Sequence, residues 1–249
     1  MLNTSYLELP PAKELKPLIK CFWISANHSG SELYFTTLPD GCVELVVLYQ
    51  EKVLKEILVS NVLSDPYDMV MPAGELKMGI RLTPLGKEYY LDRCPELNRF
   101  AEFSNTQTGN LLTDLQRFSE LVTADMQNVI PANGIDRRKE AVFDRLQESS
   151  GNIDVEELSK QCGWSARQIN RYFNKLLGMP LKAYSNILKC YAAYDEIKAG
   201  HLYPDLGYYD QSHFIREVRK HTDTNPKTLL KNKGQRYLQF NKPVNSADQ

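Results

Sequence analysis

One segment of the chain occurs twice in its C-terminal part. The sequence LSKQCGWSARQINRYF (158–173) aligns with LYPDLGYYDQSHFIREV (202–218), with one residue inserted after the glycine-aromatic pair of the second copy. Each copy carries a leucine, a turn glycine, a helix N-cap residue, a core hydrophobic residue and an arginine in the same order. A repeat fixes the architecture of a chain, because each copy is one supersecondary unit. The pattern predicts two helix-turn-helix units.

The first copy leads into a short helix with two different faces, within GWSARQINRYFNKLLGMP (163–180). Ser165 and Gln168 have the spacing of a capping box. Gly178 suits the helix end, and Pro180 is expected to open the next helix. Hydrophobic residues at helical spacing are expected to face a core: Ile169, Phe173 and Leu176. The opposite face carries Arg167, Asn170, Arg171 and Asn174.

Arginine and asparagine on one helix face have a specific use in DNA recognition. Arginine can donate two hydrogen bonds to guanine O6 and N7, and asparagine can pair with adenine N6 and N7. The same face also fits an ordinary solvated helix, and this helix alone does not discriminate between the two interpretations. The second copy favours the DNA-reading interpretation.

Residues from about 137 to 233 resemble the DNA-binding domain of AraC/XylS-type transcriptional regulators. The resemblance rests on the string GYYDQSHFIREVRK (207–220) and the proline at 226, and it covers roughly the C-terminal two-fifths of the chain. It implies seven helices, arranged as two helix-turn-helix subdomains joined by a long helix. The chain departs from the family pattern in the first helix of the second unit, which is expected to be about three residues short and contains Pro204.

The resemblance implies a set of DNA contacts. Base-reading positions fall on Arg167, Asn170, Arg171, Gln211, Ser212 and Arg216. Ser165, Lys175 and Lys220 fall near phosphates, which position a protein on the duplex without reading its sequence. His213 is interpreted as a partly buried residue with a hydrogen-bonding role and not as a catalyst.

The segment LKAYSNILKCYAAYDEIK (181–198) is predicted to be the connecting helix. With Pro180 it measures roughly 28 Å at about 1.5 Å per residue. Successive major-groove segments on one face of DNA repeat every ~34 Å, so one chain can place both reading helices in adjacent segments. Its apolar residues are expected to serve both cores: Tyr184, Ile187, Leu188, Tyr191 and Tyr194.

The N-terminal part is predicted to be mostly β. Short aromatic and β-branched segments alternate with turn signals, at 18–25, 31–38, 42–49, 53–60 and 76–83. Such a pattern is typical of a sandwich or small barrel. The PDG turn (39–41) and GIRLTP (79–84) resemble the cupin-like domain that often precedes this DNA-binding domain. The predicted fold class is therefore α+β, with a β-rich cupin-like domain and trailing helices before an all-α domain.

Some cupin-like barrels hold a catalytic metal, and the sequence argues against one here. A metal site needs two or three histidines and a carboxylate on neighbouring strands, whereas His28 is the sole histidine in the first 200 residues. No metal or other cofactor is expected. Glu44, inside an apolar strand, either faces solvent or serves as a polar anchor in a barrel pocket. The other ligand-binding residues are unknown from sequence.

Helices are predicted after residue 84. The segment GNLLTDLQRFSELVTADM (109–126) carries an apolar stripe that either covers the sheet or forms a dimer contact. PANGID (131–136) is the predicted linker, because it combines Pro, Gly and Asn. The predicted domains are therefore 1–130 and 137–236, with a tail at 237–249. A fragment from Asp136 to Gln235 is expected to fold and bind DNA alone.

The charge distribution agrees with this division. The whole chain has a net charge of −1, but residues 137–249 contain 19 Lys and Arg against 13 Asp and Glu, a net charge of +6. The preceding residues contain 11 against 18, a net charge of −7. A basic half beside an acidic half is typical of a DNA-binding module joined to a separate domain.

Five widely spaced cysteines, the absence of a signal peptide and the absence of a long apolar segment indicate a cytoplasmic protein. The sequence predicts a bacterial-type transcription regulator and not an enzyme. Its expected partners are double-stranded DNA, a small-molecule effector, a second copy of the chain and RNA polymerase, with no membrane.

Two alternatives remain. One is an alkyl-transferring DNA-repair enzyme fused to this DNA-binding domain, for which Cys94, beside Pro95, is the candidate nucleophile. The other is a protein-interaction module in which the short second unit has lost its DNA contact.

Overall fold

The computed structural model describes residues 4–93, 97, 99–104, 106–131, 134–204, 206–231 and 237. Strands dominate the N-terminal part and helices follow them. The strands are β1 (Thr4–Leu9), β2 (Ile19–Asn27), β3 (Leu33–Thr37), β4 (Val43–Gln50), β5 (Val53–Val59), β6 (Tyr67–Met71) and β7 (Glu75–Leu82). The helices are α1 (Pro84–Gly86), α2 (Arg99–Ser104), α3 (Leu111–Val129), α4 (Arg137–Glu148), α5 (Val155–Cys162), α6 (Ala166–Leu177), α7 (Leu181–Lys198), α8 (Gln211–Thr222) and α9 (Pro226–Lys231). A 3-10 turn (Lys13–Leu15) precedes β2, and a π-helical segment (Lys87–Leu91) extends α1.

Five strands form one antiparallel sheet in the order β1-β2-β7-β4-β5. Alternation along each strand gives this sheet two different faces. One face is apolar and buried, with Phe22, Ile24, Leu45, Val47, Met78 and Ile80. Helices α2 and α3 pack on this side. The other face carries polar residues, and Arg81 of β7 lies between its neighbours Cys21 of β2 and Glu44 of β4.

A separate antiparallel pair, β3 and β6, lies over the polar face. Hydrogen bonds tie the two sheets together. The Nδ2 of Asn27 in β2 donates to the carbonyl of Met71 in β6 at 2.9 Å, and the Nζ of Lys77 in β7 donates to the carbonyl of Val70 at 3.3 Å. The polar face is therefore enclosed between two sheets.

The five predicted strands are confirmed with ends shifted by up to two residues. β1 and β6 were not predicted, because each is short and carries acidic or exposed residues, so neither shows an apolar alternation. Helix α2 lies in the region after residue 84 that was predicted to be helical, although no separate helix was predicted there. The mixed α and β composition, with strands before helices, is confirmed.

Helix α3 covers the apolar face of the sheet. Asn110 caps it by accepting a hydrogen bond from the backbone N–H of Thr113. Its apolar stripe is buried within the chain, at Leu115, Phe118, Val122 and Met126, while Leu111, Leu112 and Leu121 are half-buried. Of the two interpretations of this stripe, the structure supports the helix that covers the sheet, because a buried stripe is not available to a second copy.

The C-terminal helices form two hydrophobic clusters. Helices α4, α5, α6 and the first half of α7 share one continuous cluster with the N-terminal sheet. The second half of α7 packs with α8 and α9, and Leu38 of the N-terminal part joins that cluster. The hydrophobic core therefore does not stop at the predicted linker. Its residues Ala132 and Asn133 lie outside the described residues, as does most of the predicted tail.

Two sequence expectations need correction here. Pro180 occupies the N-cap of α7 and not its first helical position, so the connecting helix has 18 residues. The resemblance implied seven helices in the C-terminal domain, whereas the described residues after 136 form six.

Candidate nucleic-acid interface

Helix α6 is built as its sequence predicts. The Ser165 hydroxyl accepts from the backbone N–H of Gln168 at 3.3 Å, and the Gln168 Oε1 accepts from the backbone N–H of Ser165 at 2.9 Å, which confirms the capping box. Ile169 and Phe173 are fully buried, so one face is fixed against the core. The helix ends at Gly178, whose φ of 72° is the left-handed conformation that glycine adopts without strain.

Three cations lie along the exposed side of α6. Arg167, Arg171 and Lys175 follow one another at intervals of four residues, and all three are exposed. Among the described residues, none of them makes a hydrogen bond or an ion pair. Because their N–H groups are not taken up by any described acidic side chain, these cations can donate charge-assisted hydrogen bonds to phosphate or to guanine.

Asn170 is held differently from the other predicted base readers. It is half-buried, its Nδ2 donates to the carbonyl of Ala166 at 3.1 Å, and its Oδ1 accepts from the backbone N–H of Leu181 at 3.3 Å. The side chain thus ties α6 to the first turn of α7. An adenine would have to bind the second N–H of Nδ2 and the second lone pair of Oδ1, because one of each is already used. Asn174 likewise donates to the carbonyl of Asn170 at 2.9 Å.

Helix α8 is the corresponding helix of the second copy. Asp210 caps it by accepting from the backbone N–H of His213 at 2.7 Å. Phe214 and Val218 are buried. The predicted DNA contacts are all exposed: Gln211, Ser212, Arg216 and Lys220. His213 is half-buried and its Nδ1 accepts from the backbone N–H of Tyr209 at 3.4 Å, which confirms its hydrogen-bonding role.

No helix precedes α8 among the described residues of the second unit. Residues 201–204 and 206–210 form bends and turns, so the expected shortened helix is absent there. Pro204 lacks the backbone N–H that a helix interior needs. The turn is held instead by Lys189 of α7, whose Nζ donates to the carbonyl of Gly207 at 3.1 Å. Gly207 also lies so close to Asn152 that a Cβ there would be 2.4 Å from its side chain.

Helix α7 joins the two units and serves both cores, as predicted. Tyr184, Ile187 and Leu188 belong to the cluster of the first unit. Tyr194 and the half-buried Tyr191 belong to that of the second. At 18 residues, α7 is about 27 Å long.

The polar face of the N-terminal sheet encloses a charged cluster around Arg81. Its Nε lies 3.0 Å from Glu44 Oε1 and 3.2 Å from Asp40 Oδ2, and its Nη1 lies 3.4 Å from Glu8 Oε1. Burial raises the pKa of Glu44, and the nearby guanidinium opposes that shift. Glu44 therefore does not face solvent, contrary to one of its two interpretations. Arg81 was missed from sequence, although an arginine alternating with buried apolar residues was a usable signal.

A narrow cleft of about 40 Å³ lies beside this cluster, between the two sheets. Trp23, Phe35 and Met69 line it together with Glu44 and Arg81. The Nε1 of Trp23 is buried and has no acceptor among the described residues. The cleft has room for about two or three water molecules, so a larger occupant would have to part the sheets.

Several contacts join the N-terminal part to the first unit. Glu88 forms an ion pair with Lys139 of α4 and accepts from the Tyr172 hydroxyl of α6 at 2.6 Å. The backbone N–H of Asp136 donates to the Tyr89 hydroxyl at 3.0 Å. These residues place the π-helical segment directly beside the candidate interface.

A metal site, a membrane-spanning helix or a reactive cysteine in the described part of the chain would indicate a different function. It contains no group of three His, Cys, Asp or Glu residues that could hold a metal ion, and none of its helices is long and apolar enough to cross a membrane. The four described cysteines are buried. Burial raises the thiol pKa of Cys21 and of Cys190 to about 12, which disfavours a thiolate nucleophile at either position. Cys94 and Pro95 lie outside the described residues.

Comparison with known proteins gives one family and a set of structures. Residues 7–96 match a domain of unknown function, DUF6597. No curated protein matches the chain. The structure is similar to crystal structures of ToxT from Vibrio cholerae O395, with 12% identity over 91% of this chain and 96% of that one at a TM-score of 0.42. For ToxT bound to (E)-4-(8-methylnaphthalen-1-yl)but-3-enoic acid the values are 13%, 91%, 97% and 0.41. At these identities and TM-scores, the similarity carries no functional assignment.

Proposed function

We propose that this protein is a sequence-specific DNA-binding transcription regulator of the AraC/XylS type. The observation that carries the proposal is the exposed face of α6. A capped, rigid helix presents Arg167, Arg171 and Lys175 with no partner among the described residues, and its other face is locked in the core. A second capped helix, α8, stands at the other end of α7 with Arg216 and Lys220 exposed.

The length of the connecting helix supports the proposal. The connecting helix is about 27 Å long, and adjacent major-groove segments on one face of DNA lie ~34 Å apart. Each unit would thus read one segment, with Arg171 and Arg216 as the principal forked donors. The sequence resemblance of residues 207–220 to the family signature agrees with this arrangement.

The N-terminal part is the proposed regulatory half. Its cleft beside Glu44 and Arg81 is the candidate effector site, and the buried, unpartnered Nε1 of Trp23 offers a donor to an occupant. Contact with a second copy of the chain or with RNA polymerase remains a prediction. The domain boundaries at 130 and 137 also remain a proposal. The hydrophobic core continues across them, so packing alone does not separate two domains there.

One observation supports the alternative in which the second unit contacts a protein. The second unit lacks a described helix before α8, so its reading helix is supported on one side by a turn. This favours contact of α8 with a protein instead of DNA, while α6 alone binds DNA. Nothing in the described residues favours the alkyl-transfer alternative.

The test is selection of DNA by the full chain from a library of randomised duplexes. The proposed function predicts enrichment of two short sequence blocks with centres about ten base pairs apart. A variant with Arg167, Arg171 and Lys175 all replaced by Ala is the control and should lose the block that α6 reads. Enrichment of a single block would support the alternative for α8, and no enrichment by the wild-type chain would exclude sequence-specific binding.

A further inference from the structure

A basic concavity lies between α4 and α6, beside the exposed face of α6. It has a volume of about 440 Å³ and is lined by four cations, Arg138, Lys139, Arg171 and Lys175, with the rings of Trp164 and Tyr172 between them. No Asp or Glu lines this concavity among the described residues. We refer to it as the α4–α6 basin.

The cations of the basin differ in what they already bind. Lys139 is occupied, because it pairs with Glu88 and lies over the rings of Tyr89 and Tyr172. Arg171 and Lys175 are exposed and make no bond among the described residues. The basin therefore contains two cations without a partner among the described residues, Arg171 and Lys175, beside Lys139, which is already held by an ion pair and two aromatic rings.

Arg138 is held in position but keeps part of its donor capacity. Its Nε and Nη2 donate to the Asp136 carboxylate at 3.2 and 2.8 Å. Its guanidinium carbon lies 5.4 Å from the centre of the Trp164 ring. Its Nη1 donates to no acceptor among the described residues. An arginine whose plane is set by a carboxylate and a ring loses little further freedom when it binds an anion.

This arrangement suits a phosphate. A phosphate has several acceptor oxygens, and cations from two helices can reach it from different sides. Arg171 belongs both to the basin and to the exposed face of α6. A large ligand that binds this face of α6 would therefore also reach the basin. Duplex DNA has this shape, since its backbone phosphates border the groove that a reading helix enters.

We infer that the α4–α6 basin binds backbone phosphates of duplex DNA beside the base pairs that α6 reads, with Arg138 as a DNA contact contributed by α4. The inference rests on the proposed function and extends the interface beyond the two reading helices. A free di- or polyphosphate shares this chemistry and is the other source that the experiment must separate.

The experiment compares Arg138→Ala with Arg145→Ala in the full chain. Arg145 lies two turns further along α4, is exposed, pairs with Glu148 and does not line the basin. Binding to a selected duplex and to a random duplex is measured by fluorescence anisotropy across a range of KCl concentrations. Arg138→Ala should weaken binding to both duplexes by similar factors and reduce the salt slope by about one unit, as expected for one lost phosphate contact. Arg145→Ala should change neither quantity.

A conservative variant and a second ligand complete the test. Arg138→Lys should restore part of the affinity and most of the salt slope, because it keeps the charge and loses the fork. Titration with sodium pyrophosphate, followed by calorimetry, tests the other source. Pyrophosphate binding that Arg138→Ala abolishes, with DNA binding unchanged, would overturn the assignment to DNA.

The outcomes separate this inference from the proposed function. If the wild-type chain binds no duplex, both fail. If the wild-type chain binds DNA and the two Ala variants are indistinguishable from it, the inference alone fails. Circular dichroism of each variant shows whether α4 and the rest of the fold are retained, and Arg138→Lys covers the case in which the Ala variant does not fold.

Discussion

The Tyr184 hydroxyl donates a hydrogen bond to the backbone carbonyl of Gly41 at 3.1 Å, across 143 residues of sequence. Both residues are buried, and Gly41 has a φ of 78°. A Cβ at Gly41 would lie 2.6 Å from Leu188 Cδ2, so the turn approaches α7 as closely as glycine allows. The turn at 39–41 therefore connects the N-terminal sheet to the helix that joins the two proposed reading units.

The neighbour of Gly41 extends this connection into the sheet. Asp40 pairs with Arg81, and its Oδ1 accepts from the backbone N–H of Cys42 at 2.9 Å. Lys20 of β2 lies 3.8 Å from the centre of the Tyr191 ring of α7. One short turn, residues 39–41, thus contacts both the charged cluster around Arg81 and the connecting helix α7.

Tyr184→Phe is expected to lower the free energy of unfolding by about 1–3 kcal/mol, because it leaves the buried carbonyl of Gly41 without its donor. Urea denaturation followed by circular dichroism measures the change. Tyr34→Phe is the matched control, since Tyr34 is exposed and its hydroxyl bonds to the exposed Glu32. Equal stability of the two variants would mean that the contact contributes nothing to the join between the sheet and α7.

Arg171→Ala is expected to weaken specific DNA binding by ~1–3 kcal/mol and to relax the preference at one base position. Lys175→Ala should lower the affinity for all sequences alike and reduce the salt slope by about one unit. Both side chains are exposed on α6, so neither change should disturb folding. A panel of single-base operator variants distinguishes them, and identical behaviour of the two variants across it would refute the assignment of reader and positioner.

The first unit is expected to contribute more than the second. Arg216→Ala should cost less affinity than Arg171→Ala, because α8 lacks a described positioning helix and its other predicted readers, Gln211 and Ser212, carry no charge. A small misplacement weakens several bidentate contacts together, each worth about 1–3 kcal/mol. Both variants are measured on one operator at one salt concentration. A loss for Arg216→Ala as large as that for Arg171→Ala would mean that Lys189 and the turn hold α8 as well as a helix would.

A fragment from Asp136 to Gln235 is expected to fold and bind DNA, but with lower stability than the same helices have in the full chain. It lacks Leu38, which is buried among the residues that pack with α8, and it lacks the Gly41 partner of Tyr184. Burial of one leucine contributes about 1.5–3 kcal/mol. Thermal unfolding by circular dichroism and anisotropy with DNA test this. An unfolded fragment would show that the proposed boundary does not divide two autonomous domains.

Glu44→Gln is expected to leave the stability at neutral pH unchanged or slightly higher. Burial raises the pKa of Glu44, and the amide resembles the protonated carboxyl. A raised pKa in the folded state means that ionisation costs folding free energy; the cost is absent below the unfolded value of about 4.3 and complete above the folded value. Wild-type stability should therefore rise relative to the variant as the pH falls through the folded-state pKa towards the unfolded value. A variant that is less stable at pH 7, by a margin that narrows on acidification, would show that the ion pair with Arg81 outweighs burial.

The local elements of this chain were determined by short-range sequence signals. The S-x-x-Q box at Ser165, the glycine at 178 and the apolar spacing of α6 act over one or two turns, and each appears in the structure as predicted. The five strands with strong apolar content were found for the same reason. The Pro204 signal was also local, and among the described residues no helix lies before α8, where a shortened one was expected.

Tertiary structure decided which polar residues are free and which are bound. Asn170 and Arg167 are both polar and lie on the same helix, yet the amide of Asn170 is bound to the first turn of α7, through a partner that lies 11 residues away. Glu44 meets Arg81 across a strand pairing that spans 37 residues. The α4–α6 basin and the turn beneath Tyr184 likewise arise from segments that are distant in sequence. Periodicity and capping report neighbours along the chain, whereas burial and charge pairing depend on neighbours in space, and these are set only when the sheets and helices pack.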